Sequence, residues 1–467
     1  MSLSKPAAAV WTAAMFLVAT GCGARSSGSA IPILPVPPAS TARTRPGVAP
    51  APTFQLSEFM ADTSDGIHAL QVFDEAHGFL ITEAQGIADG HRYESVWGVR
   101  NKNMASAWHD GNQRLGALIY TPYDTDATGS GLSRPTSWWL NNHPDWILHE
   151  CDTTTIAFVP GLHGVPLDIS NPAVRAYQVG LLGTFAEASG YNGVAADIVS
   201  LSNNTGHAKA GGGGCGVWTN AHTVWVPKFS GASIDPKWAA ATKDWVWDVR
   251  RKLHDSSVFS RRLALAINTN VDVYPAPVDR QGGDPDERAL VSSADILLNE
   301  AGFSMWGNYL GDKGFNNAVS WMEYAQSRGE AVLTTDDWNR QSQAPTVAQL
   351  DYSIATYLMG KEQAAALYVG QNSMYGKENY YPEYGAKIGK PCGAMYGGPN
   401  DPVVRGENVY FRKYSGGFAI VNVNSTHAYT VDLPKSSYRD IEGENVVSPM
   451  TIQPDAGAVL LTSDGCG

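Results

Sequence analysis

Charge is scarce in this chain: 17% of its 467 residues are Asp, Glu, Lys or Arg, against about 25% in an average globular protein. The basic residues are the scarcer, 33 against 45 acidic, for a formal net charge of −12. A surface of that sign repels phosphate, which excludes a protein that lives by nucleic-acid contacts. Several chemistries lack their residues. No Gly-x-Gly-x-x-Gly opens a helix, so a dinucleotide fold has no anchor. The glycine run 211–214 has no Lys-Ser/Thr pair after it; it reads as a flexible loop and not a P-loop. There is no Gly-x-Ser-x-Gly turn for a serine hydrolase, and His149-Glu150 is not followed by the second histidine of a metalloprotease helix. No two cysteines have CxxC spacing. No metal or cofactor is expected.

What replaces charge is glycine (48), proline (27) and aromatics (14 Trp, 20 Tyr, 13 Phe), in a chain that is 43% hydrophobic. That is enough for a sizeable core and too apolar for a disordered acidic chain. Behind Lys5, residues 7–19 are an apolar run, shorter than the roughly 20 residues of a spanning helix and of signal-peptide length. It ends in Ala19-Thr20-Gly21-Cys22, which looks like a bacterial lipobox with Cys22 as the lipidated residue, although Ala19 stands where leucine is usual. Export is expected, with a lipid anchor on the cell membrane or envelope, and simple secretion as the alternative. Residues 22–52, rich in Ala, Ser and Pro, read as a tether. Four cysteines remain beyond Cys22, and in an oxidising compartment they make two disulfides. Proximity in the chain favours Cys151–Cys215 and Cys392–Cys466 among three possible connectivities.

From residue 53 onward, short apolar runs alternate with helix-like stretches. Strands are expected over 69–73, 93–98, 115–120, 193–197, 263–268, 295–300, 331–336 and 365–369, with helices between most of them, among them 172–188 and 317–328. The runs are continuously apolar, as in parallel strands buried on both faces. Eight such strands predict an α/β fold, a (β/α)8 TIM barrel over residues 53–395. Residues 396–467 read as a small antiparallel β-sandwich domain, with strands over 408–414, 417–423, 428–433 and 456–461.

In such a barrel the chemistry sits where strands end at their C-termini. Carboxylates and amides at those ends are Asp74 and Glu75, Asp124, Asp197, Asn268 and Asn270, Asn299-Glu300, and Asp336-Asp337. Asp197 and Glu300 directly follow uninterrupted apolar strands on one rim, which makes them the best pair for two-carboxylate hydrolysis of a glycosidic bond. Trp97, Tyr120, Trp138, Trp139, Trp218, Trp306 and Trp338 lie at strand ends or in loops of that rim, where indole faces can stack on sugar rings. Candidate substrate contacts are therefore Trp97, Tyr120, Asp124, Asn268, Asn270, Asn299, Trp306, Asp336 and Trp338. The expected partner is an oligo- or polysaccharide, with no protein partner evident.

Tyr93-Glu94-Ser95-Val96-Trp97-Gly98, Tyr120-Thr121-Pro122-Tyr123-Asp124, Trp146-Ile147-Leu148 and Val165-Pro166-Leu167-Asp168-Ile169-Ser170-Asn171-Pro172 resemble a bacterial group of TIM-barrel glycoside hydrolases with a C-terminal β-domain. Leu297-Leu298-Asn299-Glu300 and Tyr381-Pro382-Glu383-Tyr384 extend the likeness, which runs from about residue 66 to 465. It implies a reaction class and little about substrate. By analogy with retaining α-glycosidases, it implies Asp197 as nucleophile and Glu300 as acid/base. A second arrangement would use Asp197 as the acid, with Asp336 or Asp337 as nucleophile. A glycan-binding surface lipoprotein on a barrel without catalysis is the non-enzymatic rival.

Overall fold

Alternation along eight parallel strands builds the centre of the molecule. In the computed structural model they are Leu70–Val72, Ser95–Gly98, Gly116–Pro122, Gly193–Asp197, Ala264–Asn268, Ile296–Asn299, Ala331–Asp337 and Ala365–Gly370, here barrel strands one to eight. They pair in that order, all parallel. A parallel bridge between Ala69 and Leu367 joins the last strand to the first and closes the barrel. The structure describes residues 58–72, 82–98, 104–126, 132–159, 164–207, 212–219, 222–269, 285–338, 344–370, 375, 379–398, 408–463 and 466. The leader, the tether, Cys22, Asp74, Glu75 and Asn270 lie outside them.

Helices return the chain between strands, and their starts are written in the sequence. Thr82 with Gln85 and Thr346 with Gln349 form capping boxes for Glu83–Arg92 and Val347–Gly360. Asn171 and Asp235 cap Pro172–Ala188 and Pro236–Leu253, each with proline in the first turn. Met104–Gly111, Pro285–Val291 and Gly311–Ser327 complete the ring among the described residues.

Residues two apart on a strand face the same way. Leu70, Val72, Trp97, Leu118, Ala195, Ala266, Leu298, Leu333 and Ala366 fill the barrel interior as one cluster. Their neighbours of opposite parity, among them Ile119, Val194, Ala196, Ile267, Leu297, Val332 and Leu367, pack outward in a second cluster with the helices.

Two regions depart from expectation. The chain between barrel strands three and five carries a small antiparallel sheet, in which Gly212–Thr219 pairs with His149–Glu150, Gly206–His207 and Val224–Pro227. The expected flexible glycine loop is thus strand from Gly212 onward. Glycine is required there by close approach: a Cβ on Gly213 would stand 2.6 Å from Asn203 Oδ1, and one on Gly216 2.5 Å from the Val226 carbonyl. The Cys151–Cys215 disulfide staples this sheet, and Cys392–Cys466 ties down the C-terminal end.

After barrel strand eight comes an antiparallel sheet of six strands, with Val409–Tyr414, Gly417–Asn422 and Ala456–Leu461 at its centre. It rests on helix Val347–Gly360, so closely that a Cβ on Gly457 would lie 2.6 Å from the Asp351 carbonyl. Arg412, fully buried, donates to the carbonyls of Leu358, Met359 and Lys361 at that helix's C-terminus. Strands Ser437–Asp440, Asn445–Val447 and Met450–Ile452 were not expected, being short and partly exposed.

Candidate active site

The interior parity, continued one step past the hydrophobic layers, decides which polar residues meet at the strand ends. Tyr120 lies two residues beyond Leu118, Asp197 beyond Ala195, Asn268 beyond Ala266 and Glu300 beyond Leu298. Asp337 continues the same face of strand seven from Leu333. These five side chains, with Tyr375, form one hydrogen-bonded cluster.

Asn268 is its hinge. Its amide nitrogen donates to Asp197 Oδ1 at 2.7 Å and to Glu300 Oε2 at 2.7 Å. Both partners are carboxylate oxygens, so the nitrogen and not the carbonyl must face them. Two oxygens each 2.7 Å from one atom are at most twice that, about 5.4 Å, apart. Asp197 is further held by its neighbour Ile198, whose N–H donates to Oδ1 at 2.8 Å, and by the Tyr120 hydroxyl, which donates to Oδ2 at 2.8 Å. Ile198 takes a positive φ of 52° to make this turn, a conformation costly for a β-branched residue and common where function demands it.

Glu300 and Asp197 are both half-buried. Tyr375, buried in the interior cluster, places its hydroxyl 2.7 Å from Asp337 Oδ2 and 3.3 Å from Glu300 Oε1. Burial, and then the charges of Asp197 and Asp337, push the Glu300 carboxyl up to about 8, overcoming donation from Asn268 and Tyr375. The Glu300 backbone is pinned as well, its carbonyl accepting from the Thr335 hydroxyl at 2.9 Å. The cluster thus sets a raised Glu300 beside an Asp197 that accepts, among the described residues, from Asn268, Tyr120 and the Ile198 N–H.

The other sequence candidates divide by the same parity. Trp97 belongs to the interior and meets Tyr120 edge-on at 6.4 Å, so it lies under the cluster, buried. Asp124, 1% exposed, has its Oδ1 without a hydrogen-bond partner, and burial with the charge of Asp197 raises it to about 7. Asn299 faces outward and donates to the Gly302 carbonyl at 3.3 Å, shaping the loop after strand six. Asp336, fully buried, also faces outward: it accepts from the Phe303 N–H at 2.9 Å and from the Ser353 hydroxyl of helix Val347–Gly360. Trp338 follows it, donating to Ser353 at 2.6 Å and packing on Tyr309 and Tyr352. The structure therefore does not bring Asn299, Asp336 or Trp338 to the cluster.

Trp306 is partly exposed on the loop after strand six, with a φ of 64°. Trp139 is buried among Ile147, Val165, Leu167 and Val174, and Trp138 packs beside it. Trp218 belongs to the inserted sheet, donating to the Thr153 carbonyl at 2.7 Å. Tyr375 was missed by sequence reasoning; the only signal was a tyrosine shortly past the end of strand eight.

No protein-family model matches the chain, and no curated protein does. Solved structures are similar to parts of it at low identity. A maltogenic alpha-amylase from Thermotoga neapolitana is 11% identical, with 85% of this chain and 99% of that one covered and a TM-score of 0.45. The type III pullulan hydrolase from Thermococcus kodakarensis is 12% identical over 86% and 78% of the two chains, TM-score 0.40. Ega3 from Aspergillus fumigatus, solved in complex with galactosamine, is 13% identical over 68% and 96%, TM-score 0.38.

Proposed function

We propose that the chain is a glycoside hydrolase that cleaves with retention, with Asp197 as nucleophile and Glu300 as acid/base. The observation that carries this is the shared Asn268 amide, which holds one oxygen of Asp197 and one oxygen of Glu300 within about 5.4 Å of each other. Retaining pairs stand ~5–5.5 Å apart, whereas inverting pairs stand ~6.5–9.5 Å apart to admit a water. Glu300, neutral at pH 7, gives its proton to the glycosidic oxygen as an Asp197 oxygen bonds to the anomeric carbon and the C–O bond to the leaving group breaks. The Glu300 carboxylate then takes a proton from the water that displaces Asp197 and returns the enzyme to its starting state. Tyr120 and the Ile198 N–H fix the nucleophile's orientation between the two steps.

The test is leaving-group dependence. Glu300→Gln should cripple hydrolysis of glycans with poor leaving groups and spare activated aryl glycosides, whose departure needs little protonation. Equal loss on both would remove Glu300 as the acid. Saccharide binding without reducing-end release by the unaltered protein, across a broad polysaccharide panel, would favour the non-catalytic glycan-binding reading. We also infer from the leader alone that the protein is exported and lipid-anchored at Cys22. Cys22→Ala should then move it from the membrane fraction to the soluble exported fraction, since stable anchoring needs more than one acyl chain.

A further inference from the structure

The turn that follows Asp197 is strained, and something must hold it. Ile198 has a φ of 52°, and a β-branched residue relaxes to a negative φ unless its neighbours forbid it. The N–H that this turn aims is the one donated to Asp197 Oδ1 at 2.8 Å. The next residue, Val199, is tied by its N–H to the Asn268 backbone carbonyl at 3.0 Å. The one after that is gripped by side chains. The Ser200 carbonyl faces three donors: the Tyr123 hydroxyl at 3.2 Å, Trp238 Nε1 at 3.2 Å and the Thr242 hydroxyl at 3.1 Å. Its oxygen has two lone pairs, so two hydrogens fill it and the third lies between the two hydroxyls, themselves 3.2 Å apart.

We propose that Tyr123, Trp238 and Thr242 are positioning residues that clamp the Ser200 carbonyl, and thereby hold Ile198 left-handed with its N–H on Asp197. Tyr123 follows barrel strand three, whereas Trp238 and Thr242 stand four apart on one face of helix Pro236–Leu253. All three are buried. The tyrosine is locked in turn: Trp245 meets its ring edge-on at 5.5 Å, and Gln178 of helix Pro172–Ala188 donates to its carbonyl at 3.0 Å. The clamp acts through the backbone. It fixes the chain, the chain aims the Ile198 N–H, and that N–H sets the direction of a nucleophile oxygen. With the clamp loosened the turn relaxes and Oδ1 loses that donor, while Asn268 and Tyr120 still bind the carboxylate. The loss therefore falls on kcat and not on KM.

The kinetic side of this inference rests on the hydrolase reading; the structural side does not, and the experiment separates them. Tyr123→Phe with Thr242→Val removes both hydroxyls, keeps the ring and the branch, and leaves Trp238 alone on the carbonyl. Either single variant carries the same test with a smaller effect. Amide hydrogen exchange reads the turn directly. Exchange at Ile198 should quicken about tenfold or more in the double variant, with the strand amides of Ala195 and Ala266 unchanged. On a hydrolysed glycan, kcat should fall about 10- to 100-fold, the loss expected when a reacting group is misplaced by up to about 1 Å, with KM within about threefold. Ile198→Gly is the control, because glycine takes a positive φ without the steric penalty. In that background, removing the hydroxyls should lower kcat less than about threefold, a coupling that a merely structural contact would not show. Unchanged exchange at Ile198, an unchanged kcat, or equal kcat losses in the isoleucine and glycine backgrounds would overturn the proposal. Quickened exchange in a protein that hydrolyses no glycan would keep the clamp and defeat the hydrolase reading instead.

Discussion

Removing the Asn268 side chain tests whether one amide organises the pair. In Asn268→Ala, Asp197 loses the amide donor and keeps the Tyr120 hydroxyl on Oδ2 and the Ile198 N–H on Oδ1. Glu300 loses its bond at Oε2 and keeps the Tyr375 contact at Oε1. A hydrogen bond to a charged group contributes about 1.5–3 kcal/mol. Spent on the transition state, the single bond to the nucleophile corresponds to a roughly 10- to 150-fold fall in kcat/KM at 1.36 kcal/mol per decade. The pH profile should change too, and its sign is fixed. Amide donation favours the ionised form of Glu300, so losing it raises that group further above 8 and moves the basic limb upward. The assay is kcat/KM from pH 5 to 9.5 on a hydrolysed glycan, with a thermal melt to confirm folding. A variant within twofold of the unaltered enzyme, or a limb that moves downward, would refute the organising role of this amide.

Three further outcomes concern stability. Arg412→Met should lower the urea midpoint by the equivalent of about 3 kcal/mol, because the carbonyls at the end of helix Val347–Gly360 lose their buried donor. Lys361 is fully buried with no hydrogen-bond partner for Nζ, and burial lowers it from 10.5 to about 7. The unfolded chain therefore binds a proton that the folded one refuses between those values, and stability falls as pH falls from about 10.5 to 7. Lys361→Met should gain on the unaltered protein across that window and keep a constant lead below it, read as melting temperature against pH. Glu330 is raised by burial from 4.5 to about 8, so its sign is reversed: stability is lost as pH rises through that interval. Glu330→Gln should pull ahead between pH 4.5 and 8, and a gap that does not widen there would refute the assignment.

The barrel was legible because most of its strands are short apolar runs, and the helix Pro172–Ala188 and strand Gly193–Asp197 fall where the sequence predicts them. Boundaries drifted where the signal was weak. Gly311–Ser327 begins six residues before the expected start at Asn317, its first turn carrying two glycines and no side-chain cap. The inserted sheet was illegible because its longest strand opens with Gly-Gly-Gly, a composition that local propensity reads as loop. Only the neighbours, Asn203, Thr205 and the Val226 carbonyl, make absence of a side chain an advantage there. Nothing within the strand itself announces them.

The site was half legible, and parity explains the division. Asp197 and Glu300 could be picked because each stands alone at the end of its strand. At strand seven the sequence offers two adjacent carboxylates, Asp336 and Asp337, and composition does not choose between them. Counting in twos from Leu333, an interior residue, selects Asp337; the same count from Val332, which packs outward, assigns Asp336 and Trp338 to the helix side. The rule applies again at Asn299, which stands beside Glu300 and points away from it. Applying it requires knowing which of two alternating apolar sets lines the interior, and in a strand buried on both faces the sets look alike. In strand five small residues break the tie, since Ala264 and Ala266 are inner and Leu265 and Ile267 outer, as a narrow interior requires. The same narrowness forces the next polar layer together: side chains that continue five inner faces have nowhere to go but toward one another. Two of the resulting carboxyl groups then share a single amide, and burial, followed by the charges of Asp197 and Asp337, pushes Glu300 up to about 8.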